Sequence, residues 1–258
     1  MPYRELPAPG RPAPHVACRW MRDAEPAPRA HRIVPDGCAD VVWIEGARLV
    51  VAGPQTEAVV AEIPAGATAL GVRFRIGAAG SALDVPAREV LDRTVALEDV
   101  WGLGASHLAE RLDTAATPDE ALAVLTTAVA RRLPPSGELD TIVRAAALRA
   151  ARPRASVEAL GDGLGVGERQ LRRRFLDAVG YGPKTLQRVL RFQRFLALAR
   201  APGAERDLAR LAFEAGYADQ AHLARECRRL AGLPPAALLA TGTGPAGERS
   251  SAGDALAA

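Results

Sequence analysis

Two clusters of hydrogen-bonding side chains near the C-terminus are the residues of this sequence whose types and spacing could do chemistry. Guanidinium and amide groups form paired hydrogen bonds with base edges and with phosphates, which is how proteins recognise nucleic acids. We therefore predict that nine positions contact double-stranded DNA: Arg169, Gln170, Arg172, Arg173, Gln220, Ala221, His222, Ala224 and Arg225.

Each cluster lies on the second helix of a predicted helix-turn-helix. Ser156 and Asp207 can each cap the start of a first helix, because their side-chain oxygens accept from free backbone amides. Gly165 and Gly216 stand where the chain must reverse direction, and glycine adopts the required positive φ at little cost. The N-terminal end of the helix that follows such a turn is the part that meets bases.

Apolar residues at helical spacing define the buried side of each second helix. These stripes consist of Leu171, Phe175 and Val179 in the first copy and Leu223, Cys227 and Leu230 in the second. Between the copies, Pro183 to Arg200 is predicted to be one helix, opened by a proline at its first position. Such a helix would hold the second helices of the two copies, here called the reading helices, in successive major grooves about 34 Å apart.

Charge is divided unevenly along the chain, although the formal net charge is only +3. Residues 1–140 contain 14 positive and 19 negative side chains, a net charge of −5. Residues 141–240 contain 18 positive and 9 negative side chains, a net charge of +9. A basic module behind an acidic one is typical of a nucleic-acid binder with a separate control domain.

Residues 138–240 resemble the DNA-binding domain of the AraC/XylS family of bacterial transcription regulators. The resemblance is carried by three segments: Leu164–Val166 with Arg169–Phe175, Val179–Pro183, and Ala212–Cys227 with Gly232–Pro235. It implies seven helices and sequence-specific promoter binding, with RNA polymerase as a further partner.

The first half of the chain reads differently, as short strands followed by helices. Six strands are predicted, at His15–Met21, His31–Val34, Ala39–Glu45, Arg48–Ala52, Ala58–Ile63 and Ala69–Ile76. Four helices follow, at Ala87–Arg93, Leu97–Trp101, Ala105–Thr114 and Pro118–Leu133. We expect an α+β chain: a β-rich partial barrel with helices over 1–133, a linker at 134–137, an all-α domain over 138–240, and a disordered tail at 241–258.

Two segments of this first half, Val34–Trp43 and Val51–Thr56, together with Leu70–Arg75, resemble an uncharacterised domain that precedes AraC-type domains in many regulators. By its position, such a domain senses a small-molecule effector, forms a homodimer, or both. Arg73 and Arg75 alternate across a predicted strand, so at most one faces the interior. We predict that an anionic effector would meet one of these arginines, and that Asp40 competes for the same guanidinium.

The remaining sequence features narrow the class of protein. The sequence contains no apolar run of bilayer-spanning length, and its first residues lack the apolar segment of a signal peptide, so we expect a cytoplasmic protein without a membrane partner. The three cysteines, Cys18, Cys38 and Cys227, have no paired spacing and are predicted to be buried thiols. We expect no metal, cofactor or catalytic residue.

One rival hypothesis is an enzyme, a DNA alkylation-repair regulator in which Cys38 accepts a methyl group. Such domains hold that cysteine in a four-thiolate zinc site, and this half of the chain has only Cys18 and Cys38. A second rival is a non-specific architectural protein, against which two aligned reading helices argue. The sequence therefore favours a transcription regulator.

Overall fold

The structure is a computed structural model that describes residues 3–10, 12–134, 140–152, 156, 158–202 and 207–240. Within these residues a β-rich N-terminal region precedes a helical C-terminal region, so the predicted α+β class is confirmed. Of the expected linker at 134–137 only Pro134 is described. The expected tail at 241–258 lies outside the described residues.

Eight strands form two antiparallel sheets in the N-terminal region. Six of them make a sheet in the order β1-β2-β7-β4-β5-β8, and β3 pairs with β6 as a separate two-stranded sheet. The strands are β1 Arg4–Leu6, β2 Val16–Arg22, β3 Arg29–Ile33, β4 Asp40–Ile44, β5 Arg48–Ala52, β6 Val59–Ile63, β7 Ala69–Phe74 and β8 Thr94–Ala96.

The central strand β7 is buried along its whole length because both faces of the large sheet are covered. Leu70, Val72 and Phe74 point to one face and join the apolar core formed with the N-terminal helices. Gly71 and Arg73 alternate with them and face the β3-β6 sheet. One face of the large sheet therefore builds the core, and the other is available for polar chemistry.

Four α-helices cover the core face of the large sheet, and α4 crosses β7 and β2. They are α1 Ala79–Leu83, α2 Leu97–Trp101, α3 Leu103–Asp113 and α4 Pro118–Arg132. Thr117 caps α4 by accepting from the amide of Glu120. Trp43 and Phe74 are both buried in this core.

The predicted helix at Ala87–Arg93 is wrong. Only a 3₁₀ turn forms, at Ala87–Glu89, and the chain then passes through Asp92 with a φ of 55° into β8. The Asp92 carboxylate holds this bend by accepting from the amide and hydroxyl of Thr56, at 2.6 and 2.8 Å. Strands β1 and β8 were not predicted, because three residues are too few to show alternation.

The C-terminal region has seven helical elements in its described residues, six α-helices and one 3₁₀ helix, as predicted. They are α5 Thr141–Ala150, the 3₁₀ helix Glu158–Gly161, α6 Glu168–Val179, α7 Pro183–Arg200, α8 Leu208–Ala215, α9 Gln220–Ala231 and α10 Pro235–Ala240. The bounds of α7 match the prediction, since proline opens it and Pro202-Gly203 follows its end.

The first helix of the first helix-turn-helix is shorter than predicted. In the described residues it is one 3₁₀ turn ending at Gly161, and Gly163 and Gly165 then take positive φ values. Three glycines in five residues disfavour a longer α-helix. The Arg149 side chain supports this turn by donating to the carbonyls of Leu160 and Asp162.

The two regions share a continuous apolar core rather than meeting through a thin contact. Val34, Cys38 and Ile76 from the N-terminal region are buried in the same cluster as the helices of the C-terminal region. Gln193 on α7 donates a buried hydrogen bond of 2.5 Å to the carbonyl of Pro35.

Among the described residues, no helix is both long and apolar enough to cross a membrane.

Candidate nucleic-acid interface and effector cavity

The polar residues predicted to contact DNA on α6 are all exposed. Leu171 and Phe175 turn inward, as predicted, and this leaves the opposite side of the helix to solvent. That side presents Arg169, Gln170, Arg172 and Arg173. None of the four makes a hydrogen bond or ion pair with another described residue, so their donors remain available to a partner.

The second reading helix, α9, begins at a side-chain cap, Asp219. The Asp219 carboxylate accepts from the amide of His222 at 2.6 Å. Gln220, Ala221 and Arg225 are exposed, and Ala224 is half-buried. Helix α9 is amphipathic as predicted, because Leu223, Cys227 and Leu230 are buried on the side opposite these polar residues.

His222 is held more firmly than the other predicted contacts. Its ring meets Tyr217 edge-on, with centroids 5.2 Å apart, and its Nδ1 accepts from the amide of Ala218 at 3.5 Å. An imidazole that accepts at Nδ1 in its neutral form carries its proton on Nε2. His222 would therefore offer DNA a hydrogen-bond donor from a fixed ring.

A half-buried ion pair fixes the second reading helix to α7. Nε and Nη2 of Arg188 each donate at 2.9 Å to the carboxylate of Glu226, and both side chains are at most 20% exposed. This paired geometry sets orientation as well as distance. The first reading helix is fixed through Arg174, which bonds at 2.6 Å to Asp140, the residue that also caps α5.

The predicted effector residues Asp40 and Arg73 lie side by side in the N-terminal region. Arg73 is 3% exposed and bonds to both oxygens of Asp40, at 3.0 and 3.1 Å. Two further carboxylates approach the guanidinium, that of Glu5 at 3.6 Å and that of Asp36 at 3.7 Å. Burial raises the pKa of Asp40, while Arg73 and the adjacent Trp20 indole oppose that rise.

The Asp40–Arg73 pair lines a cavity of about 410 Å³ between the large sheet and the β3-β6 sheet. Arg75, the other predicted effector residue, does not line this cavity, and its Nε donates to the carbonyl of Ala13. The expectation that at most one of the two arginines faces the interior is confirmed, and that residue is Arg73.

The three cysteines are buried free thiols, as predicted. Burial, with the nearby Asp36 carboxylate, raises the pKa of Cys38, and burial raises that of Cys18 to about 12. A methyl acceptor needs thiolate character, which burial of this kind opposes. Among the described residues, no group of three or more His, Cys, Asp or Glu side chains could hold a metal ion.

Three side chains that help to build these sites were not predicted from the sequence. Trp20 lines the cavity, Glu226 orients α9, and Gln193 joins the two regions. Each acts through a partner far away in sequence, so no local pattern marks it. A buried glutamine within a long apolar face is the nearest to a signal, since a buried amide must find a partner.

Two families match the chain. Residues 4–96 match a domain of unknown function, DUF6597, and residues 160–241 match a family described as a helix-turn-helix domain, which is of the AraC type. No curated protein matches the sequence.

Among solved structures, the chain is similar to a variant of ToxT from Vibrio cholerae strain SCE256, with 12% identity and a TM-score of 0.44, over 86% of this chain and 96% of that one. It is similar to ToxT from Vibrio cholerae O395 with 10% identity and a TM-score of 0.43, over 92% and 96% of the two chains. Structural similarities with TM-scores this low support no conclusion about this chain.

Proposed function

We propose that this chain binds specific promoter sites under the control of its N-terminal region. The chain is a DNA-binding transcription regulator, with an AraC-type helix-turn-helix domain behind a domain of unknown function. The observation that carries the proposal is the pair of amphipathic helices, α6 and α9, whose exposed sides present free hydrogen-bonding groups. Such a regulator works where the DNA of a bacterium lies, in the cytoplasm, and acts on RNA polymerase there.

Sequence specificity would come from both reading helices together. Arg169, Arg172 and Arg173 would enter one major groove, and Gln220, His222 and Arg225 the next. Arginine pairs with guanine and glutamine with adenine through two hydrogen bonds each. The net charge of +9 over residues 141–240 would supply the affinity for phosphates that holds the helices in register.

Control by the N-terminal region would pass through the segment between β3 and β4. Asp36 and Cys38 of this segment line the cavity, while its Pro35 carbonyl accepts from Gln193 of α7. Helix α7 in turn holds α9 through the Arg188 ion pair. An occupant of the cavity that favours one position of this segment would bias the reading helices, because a ligand shifts an equilibrium only by binding its two states differently.

A genome-wide map of the DNA sites bound by the full chain tests the DNA-binding part of the proposal. We expect a shared asymmetric sequence spanning about two helical turns, and tighter binding to it than to scrambled DNA by roughly a thousandfold or more. Equal affinity for mapped and scrambled DNA would instead indicate an architectural protein. Light scattering of the same protein tests whether it is a homodimer.

Promoter output of a Gln193→Leu variant tests the control part. The change removes the hydrogen bond to Pro35 while keeping an apolar side chain of similar size, so we expect altered transcription at mapped sites with unchanged sequence preference. Arg194→Met is the matched control, because Arg194 donates to Ala151 within the C-terminal region. If both variants behave like the original protein, control does not pass through this contact.

A further inference from the structure

The cavity has the size and lining of a small-molecule site. Its volume of about 410 Å³ falls within the range of roughly 300–1,000 Å³ that such sites occupy. Most of its wall is apolar, with Val42, Ile44 and Val50 from the large sheet opposite Ile33 and Val59 from the β3-β6 sheet. Val59 remains 37% exposed, although it lines the cavity.

Carboxylates of the protein already surround the Arg73 guanidinium at the charged end of the cavity. The single guanidinium of Arg73 faces three carboxylates, and Asp40 alone takes two of its N–H groups. An anionic ligand beside Arg73 would therefore meet three carboxylates that already compete for this guanidinium, although Arg22 and Arg48 also line the cavity. The structure thus argues against the anionic effector, although it places Arg73 where that effector was expected.

A buried donor without a partner marks the same end of the cavity. The indole ring of Trp20 lies over Gly71, where a Cβ atom would come within 2.5 Å of the ring. Trp20 is 6% exposed and lines the cavity, and its N–H meets no described residue with hydrogen-bond geometry, although the Asp40 carboxylate lies nearby. A buried donor left unpaired costs free energy that a ligand acceptor would recover.

An acceptor lines the same cavity as this donor. The Asp36 carboxylate uses Oδ1 to accept from the amide of Cys38 at 2.9 Å, while its Oδ2 makes no hydrogen bond with a described residue. A ligand group that fits must therefore accept from an indole and donate to a carboxylate. An ammonium only donates and a carboxylate only accepts, whereas a hydroxyl does both.

We propose that this cavity binds an uncharged, mostly apolar organic molecule whose hydroxyl group accepts from Trp20 and donates to the carboxylate of Asp36. The apolar body of the molecule lies between Val42 and Val50 on one side and Ile33 and Val59 on the other. The consequence for transcription rests on the proposed function, but binding itself does not.

Three compounds with one apolar body and different charges test the proposal on the full chain. The probes are 2-naphthylmethanol, 2-naphthylmethylamine and 2-naphthoate, each titrated while the indole N–H signals of Trp20, Trp43 and Trp101 are followed by proton–nitrogen NMR. We expect the alcohol to move the Trp20 signal downfield, as a new hydrogen bond does. The amine and the acid should bind roughly tenfold or more weakly.

Two internal controls make the result decisive. A Trp20→Phe variant identifies the Trp20 signal and should weaken binding of the alcohol without changing the fold. Trp101 is the matched reference, because its N–H is also buried without a partner among the described residues but lies outside the cavity. An unmoved Trp20 signal, or tighter binding of the acid or the amine, would overturn the proposal.

A second readout separates this proposal from the proposed function. Affinity for mapped promoter DNA is measured with and without the alcohol. If the Trp20 signal moves while DNA affinity and promoter output stay constant, the binding site stands and control of transcription through it fails. If DNA binding is specific but no Trp20 shift occurs, the ligand class is wrong and the DNA-binding function stands.

Discussion

At the scale of single residues, the candidate DNA contacts differ from the other arginines in one respect. Their hydrogen-bond donors are not already paired with a carboxylate of the protein. Arg174 and Arg188 are basic residues close to the reading helices, yet each is bound to a carboxylate, Asp140 or Glu226. Arg172 lies on the same helix as Arg174 and makes no contact of this kind among the described residues. Donors left free by the protein are those that DNA can use.

Replacing Arg172 with alanine should therefore weaken binding to the mapped promoter site by roughly 1–3 kcal/mol and leave binding to random DNA nearly unchanged. Fluorescence anisotropy with both DNAs measures the difference. Arg111→Ala, on the exposed side of α3, is a matched control that should change neither affinity. An equal loss on both DNAs would show that Arg172 contacts only phosphate.

His15 gives the N-terminal region a pH dependence. Burial lowers its pKa, and neither ring nitrogen has a hydrogen-bond partner among the described residues. The folded protein thus keeps a neutral ring below pH about 6.5, where the unfolded chain takes up a proton. His15 contributes no pH dependence above that value, and the free energy of unfolding should fall as the pH drops below it.

Urea unfolding between pH 7.5 and 5.5 measures this slope. His15→Phe should flatten it, because the buried ring then cannot titrate. The exposed His107 serves as the control, and His107→Gln should leave the slope as it is. A slope that persists in His15→Phe would assign the pH dependence to another group.

At the scale of elements, α7 is the part that sets the geometry of the reading helices. It packs against α5, α8 and α9, and its buried face is interrupted by two glutamines, Gln187 and Gln193. The Arg188–Glu226 pair is the polar contact that orients α9 on it. A change in this pair should therefore alter the second helix-turn-helix more than the first.

Glu226→Ala should destabilise the C-terminal region by roughly 1–3 kcal/mol, because it leaves the largely buried Arg188 without its carboxylate. Glu214→Ala is the matched control. It removes a carboxylate from the exposed pair with Arg210 and should cost less than about 0.5 kcal/mol. Thermal unfolding compares the two, and equal costs would mean that the buried pair adds nothing to stability.

At the scale of the whole molecule, the two regions are packed too closely to behave as independent domains. Helix α1 lies against α6 so tightly that a Cβ atom on Gly80 would come within 2.7 Å of the carbonyl oxygen of Asp177. Arg88 pairs with the side chain of the same aspartate. We infer that the first reading helix and the N-terminal region move together.

Gly80→Ala should therefore weaken the contact between the regions, by about 1–3 kcal/mol, because backbone atoms must separate to admit the methyl group. Calorimetry should then show a broadened or split unfolding transition. Gly104→Ala is the control, since its Cβ would meet only the flexible end of Arg132, and alanine favours a helix interior. A single sharp transition in Gly80→Ala would contradict this tight packing.

The sequence by itself determined the elements and their buried sides. The caps at Thr117, Asp207 and Asp219, the bounds of α7 and the apolar stripes of α6 and α9 depend on residues within a few positions of one another. Steric limits and backbone hydrogen bonding act over that same range, so local patterns suffice. The predicted helix at Ala87–Arg93 failed where a distant contact, from Asp92 to Thr56, overrode the local preference.

Only the tertiary structure decided which charged groups pair and where a ligand could enter. Arg73 meets Asp40 across 33 positions, and Gln193 meets Pro35 across 158. The sequence named Asp40 as the competing carboxylate, but alternation left open which of Arg73 and Arg75 would turn inward to meet it. The choice between them, and the cavity that results, follows from the order β1-β2-β7-β4-β5-β8, because strand order places distant residues side by side.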